Sequence, residues 1–250
     1  MGIFIKNKDQ IAIMRHASHI CADVHDLLAS YIKPGVTTTE LDKIAHEYII
    51  GQDATPTFLG YRGFPSSICV SINNEVIHGI PGIRKLKNGD IVSIDIGVCY
   101  KRFHGDAART HAVGEISETH RKLINTAEAA FFESVKHVKA GYYLHDLSAA
   151  IEDYVDSQGF KVVEEWCGHG IGRQLHEEPQ IPHTRQDRRG PRLARGMTLA
   201  IEPMINITSG ETITLEDTWT VVTKDGKFSA HYENTVLVTD GEADILTLRG

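Results

Sequence analysis

The chain repeats itself, and the repeat limits its fold more than any local pattern does. Lys33, Gly35, Leu41, Tyr48 and Gln52 recur in order as Lys139, Gly141, Leu147, Tyr154 and Gln158, at a constant shift of 106. One inserted residue makes the shift 107 and carries Leu86, Gly89, Ile94 and Asp95 onto Leu193, Gly196, Ile201 and Glu202. Further on, His104 and Asp106 meet His231 and Glu233 at a shift of 127, so the second unit has a hairpin about 20 residues longer. Any single match is chance. An ordered series that ends by placing acid on acid twice describes a duplicated half. Two such halves packed about a pseudo-twofold axis bring equivalent residues to one centre. The expected organisation is a single domain over 1–250, with repeated units at about 7–112 and 117–248.

Each unit reads as helix, helix, hairpin. In the first, Ile11, Met14, Cys21, Val24, Leu27, Leu28 and Tyr31 follow the 3.6 period, Asn7 and Gln10 form an N-terminal signature, and Pro34-Gly35 stops the helix. A second helix carries Leu41, Ile44, Ala45, Tyr48 and Ile49 and ends at Gly51. A stretch rich in Gly, Pro and aromatics follows, interrupted by a strand over Ser67–Ile72. Then Ile91–Thr110 reads as two strands, each with one acid, Asp95 and Asp106. Val92, Ile94 and Ile96 alternate with Ser93, Asp95 and Gly97, which leaves Asp95 on a small, polar face. After Ser117 the order restarts. A long helix to Ala140 carries Leu123, Ala127, Phe131, Val135 and Val138, and a shorter one carries Leu147, Ala150, Ile151, Tyr154 and Val155 before Gly159. The expected class is α+β, with two helix-helix-hairpin halves around a central antiparallel sheet.

The duplication brings four carboxylates together: Asp95, Asp106, Glu202 and Glu233. A lone acid on an edge strand is ordinarily solvated. Four acids converging on one place need compensation, and cations are the natural source. Hard divalent ions take oxygen ligands, and a pair of ions needs bridging carboxylates. The accompanying imidazole is expected from Glu164–His183, which offers His169 and His176 among glycines that permit close backbone approach. The GHGIG there resembles a dinucleotide loop, but no amphipathic helix follows and Pro179 blocks one. HEEPQ is no zinc-protease helix, since Gln180 stands where the second His would be. A net charge of −7 argues against a protein whose main business is a nucleic-acid backbone. No segment reaches the length of a membrane span, Met1-Gly2 is followed by Lys6 where a myristoylation site wants Ser or Thr, and the four cysteines form no CxxC pair. A cytoplasmic location is expected.

Ile94-Asp95 with Asp106 eleven residues later, GHGIG with His169 and His176, IEP with Glu202, and Glu233 before a closing strand resemble type I methionine aminopeptidase over nearly the whole chain. The resemblance implies the pita-bread fold and a metallo-aminopeptidase that removes the initiator methionine from nascent polypeptides, preferring a small second residue. It implies two divalent ions, with Asp95 holding one, Asp106 and Glu233 bridging, and His169 with Glu202 completing the other. His78 and His176 match histidines that contact substrate. Phe58, Tyr61, Phe64, Cys69, Leu175 and Trp219 match the methionine pocket, although Phe58 and Leu175 replace a Cys and a Phe, and Asn234 stands where a His is usual.

The expected mechanism is attack of a metal-bridging hydroxide, with Glu202 passing the proton and His78 and His176 donating hydrogen bonds. Co, Mn, Fe and Zn all suit such ligands. Rival readings are an aminopeptidase P or prolidase, a pita-bread binding protein without activity, and a metal-dependent phosphoryl hydrolase. Arg185, Arg188, Arg189, Arg192 and Arg195 gather in one loop of an otherwise acidic chain. They are either a solvated surface or a contact for ribosomal RNA where the substrate emerges. The protein is expected to act as a monomer.

Overall fold

The computed structural model describes residues 2–249; Met1 of the Met1-Gly2 pair and the terminal Gly250 lie outside the described residues. The first half contains α1 (Lys8–Ala29), α2 (Thr38–Gly51), β1 (Thr55–Pro56), β2 (Cys69–Ile72), β3 (Glu75–Ile77), β4 (Ile91–Tyr100) and β5 (Phe103–Ala112). The second begins with α3 (Glu118–Val135) and α4 (Leu144–Ser157). Its strands are β6 (Lys161–Val162), β7 (Gly168–Gly170), β8 (Glu177–Ile181), β9 (Thr198–Ile201), β10 (Met204–Asn206), β11 (Thr212–Thr214), β12 (Val221–Thr223), β13 (Ser229–His231), β14 (Glu233–Leu237) and β15 (Asp244–Ile245).

The helices start where local chemistry starts them. Asn7 accepts the Gln10 N–H while the Gln10 side chain accepts the Asn7 N–H, and Thr37 and Glu40 do the same for α2. Each helix then buries its apolar stripe: Met14, Ala17, Cys21, Val24 and Leu28 on α1, and Leu123, Ala127, Ala130 and Phe131 on α3. Two sequence expectations shift. Tyr31 lies beyond the end of α1 and is 43% exposed. The third helix stops at Val135 rather than Ala140, because the N–H groups of His137 and Val138 turn back to Ser134 O and Val135 O in a tightened last turn. Val138 remains buried from that turn.

The main sheet is antiparallel and runs β1-β4-β5-β14-β9-β7-β8, with β2 also against β4 and β15 against β14. Helices cover one face. α1 and α2 pack on Val92, Ile94 and Ile96 of β4, while α3 and α4 pack on Leu199 and Ile201 of β9 and Val236 of β14. The opposite face is concave and carries the acids. This is the pita-bread fold.

Aligned residues of the two halves make equivalent hydrogen bonds. Gly35 N–H donates to Leu86 O at 2.8 Å and Gly141 N–H to Leu193 O at 2.9 Å, with φ of 97° and 99° at the two glycines. Gly89 donates to Val113 O at 2.9 Å and Gly196 to Val238 O at 3.0 Å. The longer second hairpin leaves the sheet after β9 as β10 to β13; β11 and β12 then form a small sheet with β3 of the first half. That excursion walls the concave face.

Candidate metal centre

Strand register alone gathers the acids. Asp95 on β4 lies opposite Ala108 of β5, and Ala108 lies opposite Glu233 of β14 on its other side. Directly paired residues share a face, as do residues two apart on one strand. Asp106, two residues before Ala108, is therefore on that face as well. Ala200 of β9 pairs with both His169 and Thr235, which places His169, Glu202 and Glu233 on the same side. The small side chains of Ala108 and Ala200 sit where larger ones would fill the centre. Glycine supports His169 on both sides: a Cβ at Gly168 would fall 2.4 Å from Ala200 O, and one at Gly170 would fall 2.1 Å from Glu178 O.

Asp106, Glu233 and His169 are buried, and Asp95 and Glu202 nearly so. Asp95 Oδ1, Asp106 Oδ1 and Glu233 Oε1 are buried atoms without a hydrogen-bond partner. Burial pushes Asp95 up to about 7. It also pushes Asp106, Glu202 and Glu233 well above the usual carboxylate range, and the neighbouring carboxylates push further. A proton or a cation must relieve this crowding.

The imidazole is poised to share a cation. His169 Nδ1 is 2.9 Å from the carbonyl of Gly170, which only accepts, so Nδ1 carries the hydrogen. The Nε2 lone pair then faces Glu202 Oε1 at 3.5 Å. Burial holds His169 neutral, with its pKa lowered to about 3. Asp106, His169 and Glu233 offer ligand atoms within 4.8 Å of one another. Orphaned carboxylate oxygens beside one neutral imidazole are a donor set that fits divalent cations.

The acids form the floor of a cavity of about 750 Å³. All five expected ligands line it, as do His78, His176, Phe58, Tyr61, Phe64, Cys69, Leu175 and Trp219. The Tyr61 hydroxyl is hydrogen-bonded to His176 Nδ1 at 2.8 Å, and the His176 ring lies 4.3 Å from that of His169. His78 adopts φ of 58° and stands edge-on to Trp166 at 5.3 Å. Burial lowers both His78 and His176 to about 4. Phe58, Phe64, Cys69 and Leu175 belong to one apolar cluster, with Tyr61 and Trp219 against it. Phe58 fits because Gly97 leaves room; a Cβ there would come within 2.7 Å of its ring.

Asn234 has a structural place. Its Oδ1 accepts from Arg109 Nη2 at 2.6 Å and from the Thr247 hydroxyl at 2.8 Å, and Arg109 in turn donates to the Glu233 carbonyl. Sequence reasoning missed His231 as a neighbour of the acids. Its Nε2 lies 3.7 Å from Glu202 and 4.0 Å from Glu233. The signal was its place beside Glu233 in the repeat, where it had only been matched to His104.

Residues 12–240 match the model of metallopeptidase family M24, and the chain belongs to that family of metal-dependent hydrolases. The methionine aminopeptidase of Clostridium perfringens is 52% identical over 246 residues, covering 98% of this chain and 99% of that relative. The crystal structure of methionine aminopeptidase from Rickettsia prowazekii superposes with a TM-score of 0.97 at 38% identity, covering 99% of this chain and 100% of that one. The Xaa-Pro dipeptidase from Bacillus anthracis is more distant, with a TM-score of 0.80 at 25% identity, and this chain covers 62% of it.

Proposed function

We propose that this chain is a methionine aminopeptidase, one catalytic domain of two related halves, that removes the initiator methionine from nascent polypeptides at a dinuclear metal centre. The observation that carries the reading is the register that sets Asp95, Asp106, Glu202, Glu233 and His169 on one face, beneath an apolar-walled cavity. Asp95, Asp106, His169, Glu202 and Glu233 would hold the ions. Mn, Fe, Co and Zn all suit these donors. Bound divalent ions supply Lewis acidity, which polarises a carbonyl and acidifies water.

The protein's own groups do the rest. Phe58, Phe64, Cys69, Leu175 and Trp219 enclose the methionine side chain, an unbranched apolar group that packs well on aromatic edges. Glu202 takes the proton released from water and passes it on. In the tautomer with Nδ1 accepting from the Tyr61 hydroxyl, His176 keeps an Nε2–H to donate to the developing oxyanion, while His78 serves the leaving nitrogen. The wall built by β10 to β13 crowds the position of the second residue, hence the preference for a small one.

The test is turnover of Met-Ala-Ser with added divalent metal. Activity is expected to vanish with a chelator and in His169→Ala and Asp106→Ala, and to be lower on Met-Lys peptides. Full activity after metal stripping overturns the proposal; faster release from Xaa-Pro peptides makes the chain a prolidase-type enzyme instead.

Among the described residues, no helix is long and apolar enough to cross a membrane. A cytoplasmic monomer acting at the ribosome fits the substrate. Arg185 pairs with Asp153 and Arg195 with Asp240, while Arg188, Arg189 and Arg192 have no carboxylate partner among the described residues. These three are the charges left for ribosomal RNA.

A further inference from the structure

His231 is held rigidly at the edge of the acid cluster. Its N–H donates to the Thr110 hydroxyl at 2.9 Å, and the same hydroxyl donates to its carbonyl at 2.8 Å. Ser93 fixes that hydroxyl in turn at 2.7 Å. The ring is 1% exposed, and Nε2 is a buried atom without a hydrogen-bond partner. It faces Glu202 Oε2 at 3.7 Å, whereas the other oxygen, Oε1, faces His169 Nε2 at 3.5 Å. The Glu202 carboxylate thus stands between two imidazoles, one at each oxygen. An ion held by His169 and Oε1 would leave Oε2 to His231.

We propose that His231 is a positioning residue: in its Nε2–H tautomer it donates to Glu202 Oε2 and so commits Oε1 to the ion shared with His169. The inference rests on the metal-centre reading above. At 3.7 Å the contact is longer than a hydrogen bond, and a small rotation of the Glu202 carboxylate would bring Oε2 within reach of the Nε2–H. A charge-assisted bond to a ligating carboxylate in a dry site fixes ligand orientation and strengthens binding. Without it, Glu202 is free to rotate and expose either oxygen.

The experiment titrates metal-free wild type, His231→Leu and His231→Gln with Mn²⁺ by calorimetry. It then records Met-Ala-Ser kinetics and the visible absorption of the Co²⁺-loaded proteins. Loss of the donor in His231→Leu is expected to weaken metal binding ~10–100-fold and to lower kcat with KM unchanged. His231→Gln keeps an N–H at similar reach; it is expected to restore most of both, with Co²⁺ bands like those of wild type. If the leucine variant fails to fold, His231→Met fills the same volume and takes its place. Wild-type affinity in the apolar variant overturns the proposal. So does a glutamine variant as weak as the apolar one with shifted Co²⁺ bands, because His231 is then a ligand. A wild type that binds no divalent ion removes the metal centre itself, and this inference falls with it.

Discussion

His78 lines the cavity beside the acids in an unusual backbone conformation. Its positive φ is unusual for a residue with a Cβ, and it is kept between Trp166 and Trp219 with ring distances of 5.3 and 6.3 Å. Such backbone strain persists only where surroundings over-determine it. His78→Ala is expected to lower kcat ~10²-fold or more through lost transition-state hydrogen bonding, with metal content unchanged. Metal analysis beside the kinetics decides this; metal lost in proportion to activity would make His78 a ligand. The acids make a second prediction. Asp95, raised to about 7, holds a proton below that pH, so an incoming cation must displace it. His169 and His231, both lowered to about 3, are already neutral above pH 4 and add no competing proton. The affinity for Mn²⁺ is therefore expected to rise with pH between 5 and 7, by about tenfold per unit for each proton displaced. Calorimetry in buffers of different ionisation enthalpy counts the protons released. A flat affinity over that range would contradict the raised carboxyl.

In the main sheet the two halves meet at β5 and β14, and threonine hydroxyls extend that pairing where the ladder stops. The register between β5 and β14 covers only Ala108 with Glu233 and Ala107 with Asn234. Beyond one end, Thr110 Oγ1 bonds both the N–H and the carbonyl of His231; beyond the other, Thr235 Oγ1 bonds both the N–H and the carbonyl of Asp106, each at 2.9 Å. A hydroxyl both donates and accepts, so one side chain satisfies two buried backbone groups. Thr235→Val keeps the volume and leaves the Asp106 amide unpaired. It is expected to cost ~1–3 kcal/mol in urea unfolding and to weaken metal binding, because Asp106 loses its anchor. An unchanged midpoint would show that the ladder alone holds the strand. The same logic explains why Gly168 and Gly170 flank His169: β7 lies too close to Ala200 and Glu178 for any Cβ.

The two halves have separate apolar cores, one under α1 and α2 and one under α3 and α4, joined by the sheet and by the cluster around the cavity. Opposed in this way, they leave the centre of the concave face to polar groups from both. The outer surface raises the question of the ribosome. Replacing Arg188, Arg189 and Arg192 with serine is expected to leave tripeptide turnover near wild type, while ribosome association weakens and its salt slope shrinks. Sedimentation at several salt concentrations reads this directly. Unchanged association at every concentration assigns the loop to ordinary solvated surface, for which the local pairs of Arg185 and Arg195 already provide a precedent.

Much of this was legible along the chain because it is written in local terms. The Asn7 and Thr37 capping boxes, the apolar stripes of the helices and the alternation through Ile94-Asp95 depend on neighbours a few residues away. The repeat extended that reading across the whole length, since duplicated segments carry their local code twice. It named the four acids, and the resemblance named His169. Strand pairing decided what remained. Nothing near Ala108 or Ala200 announces that each stands between two strands and leaves room for the acids, because that is a property of register. His231 escaped notice for the same reason: its Nε2 meets Glu202 only after β13 has paired with β10, which sets His231 opposite Met204. The end of α3 moved by five residues because hydrogen bonding in the last turn, rather than apolar period, determines where a helix stops. Contacts between residues far apart in sequence cost loop-closure entropy and are repaid only by the completed sheet, so the chain specifies which groups are available and the tertiary structure specifies which of them meet.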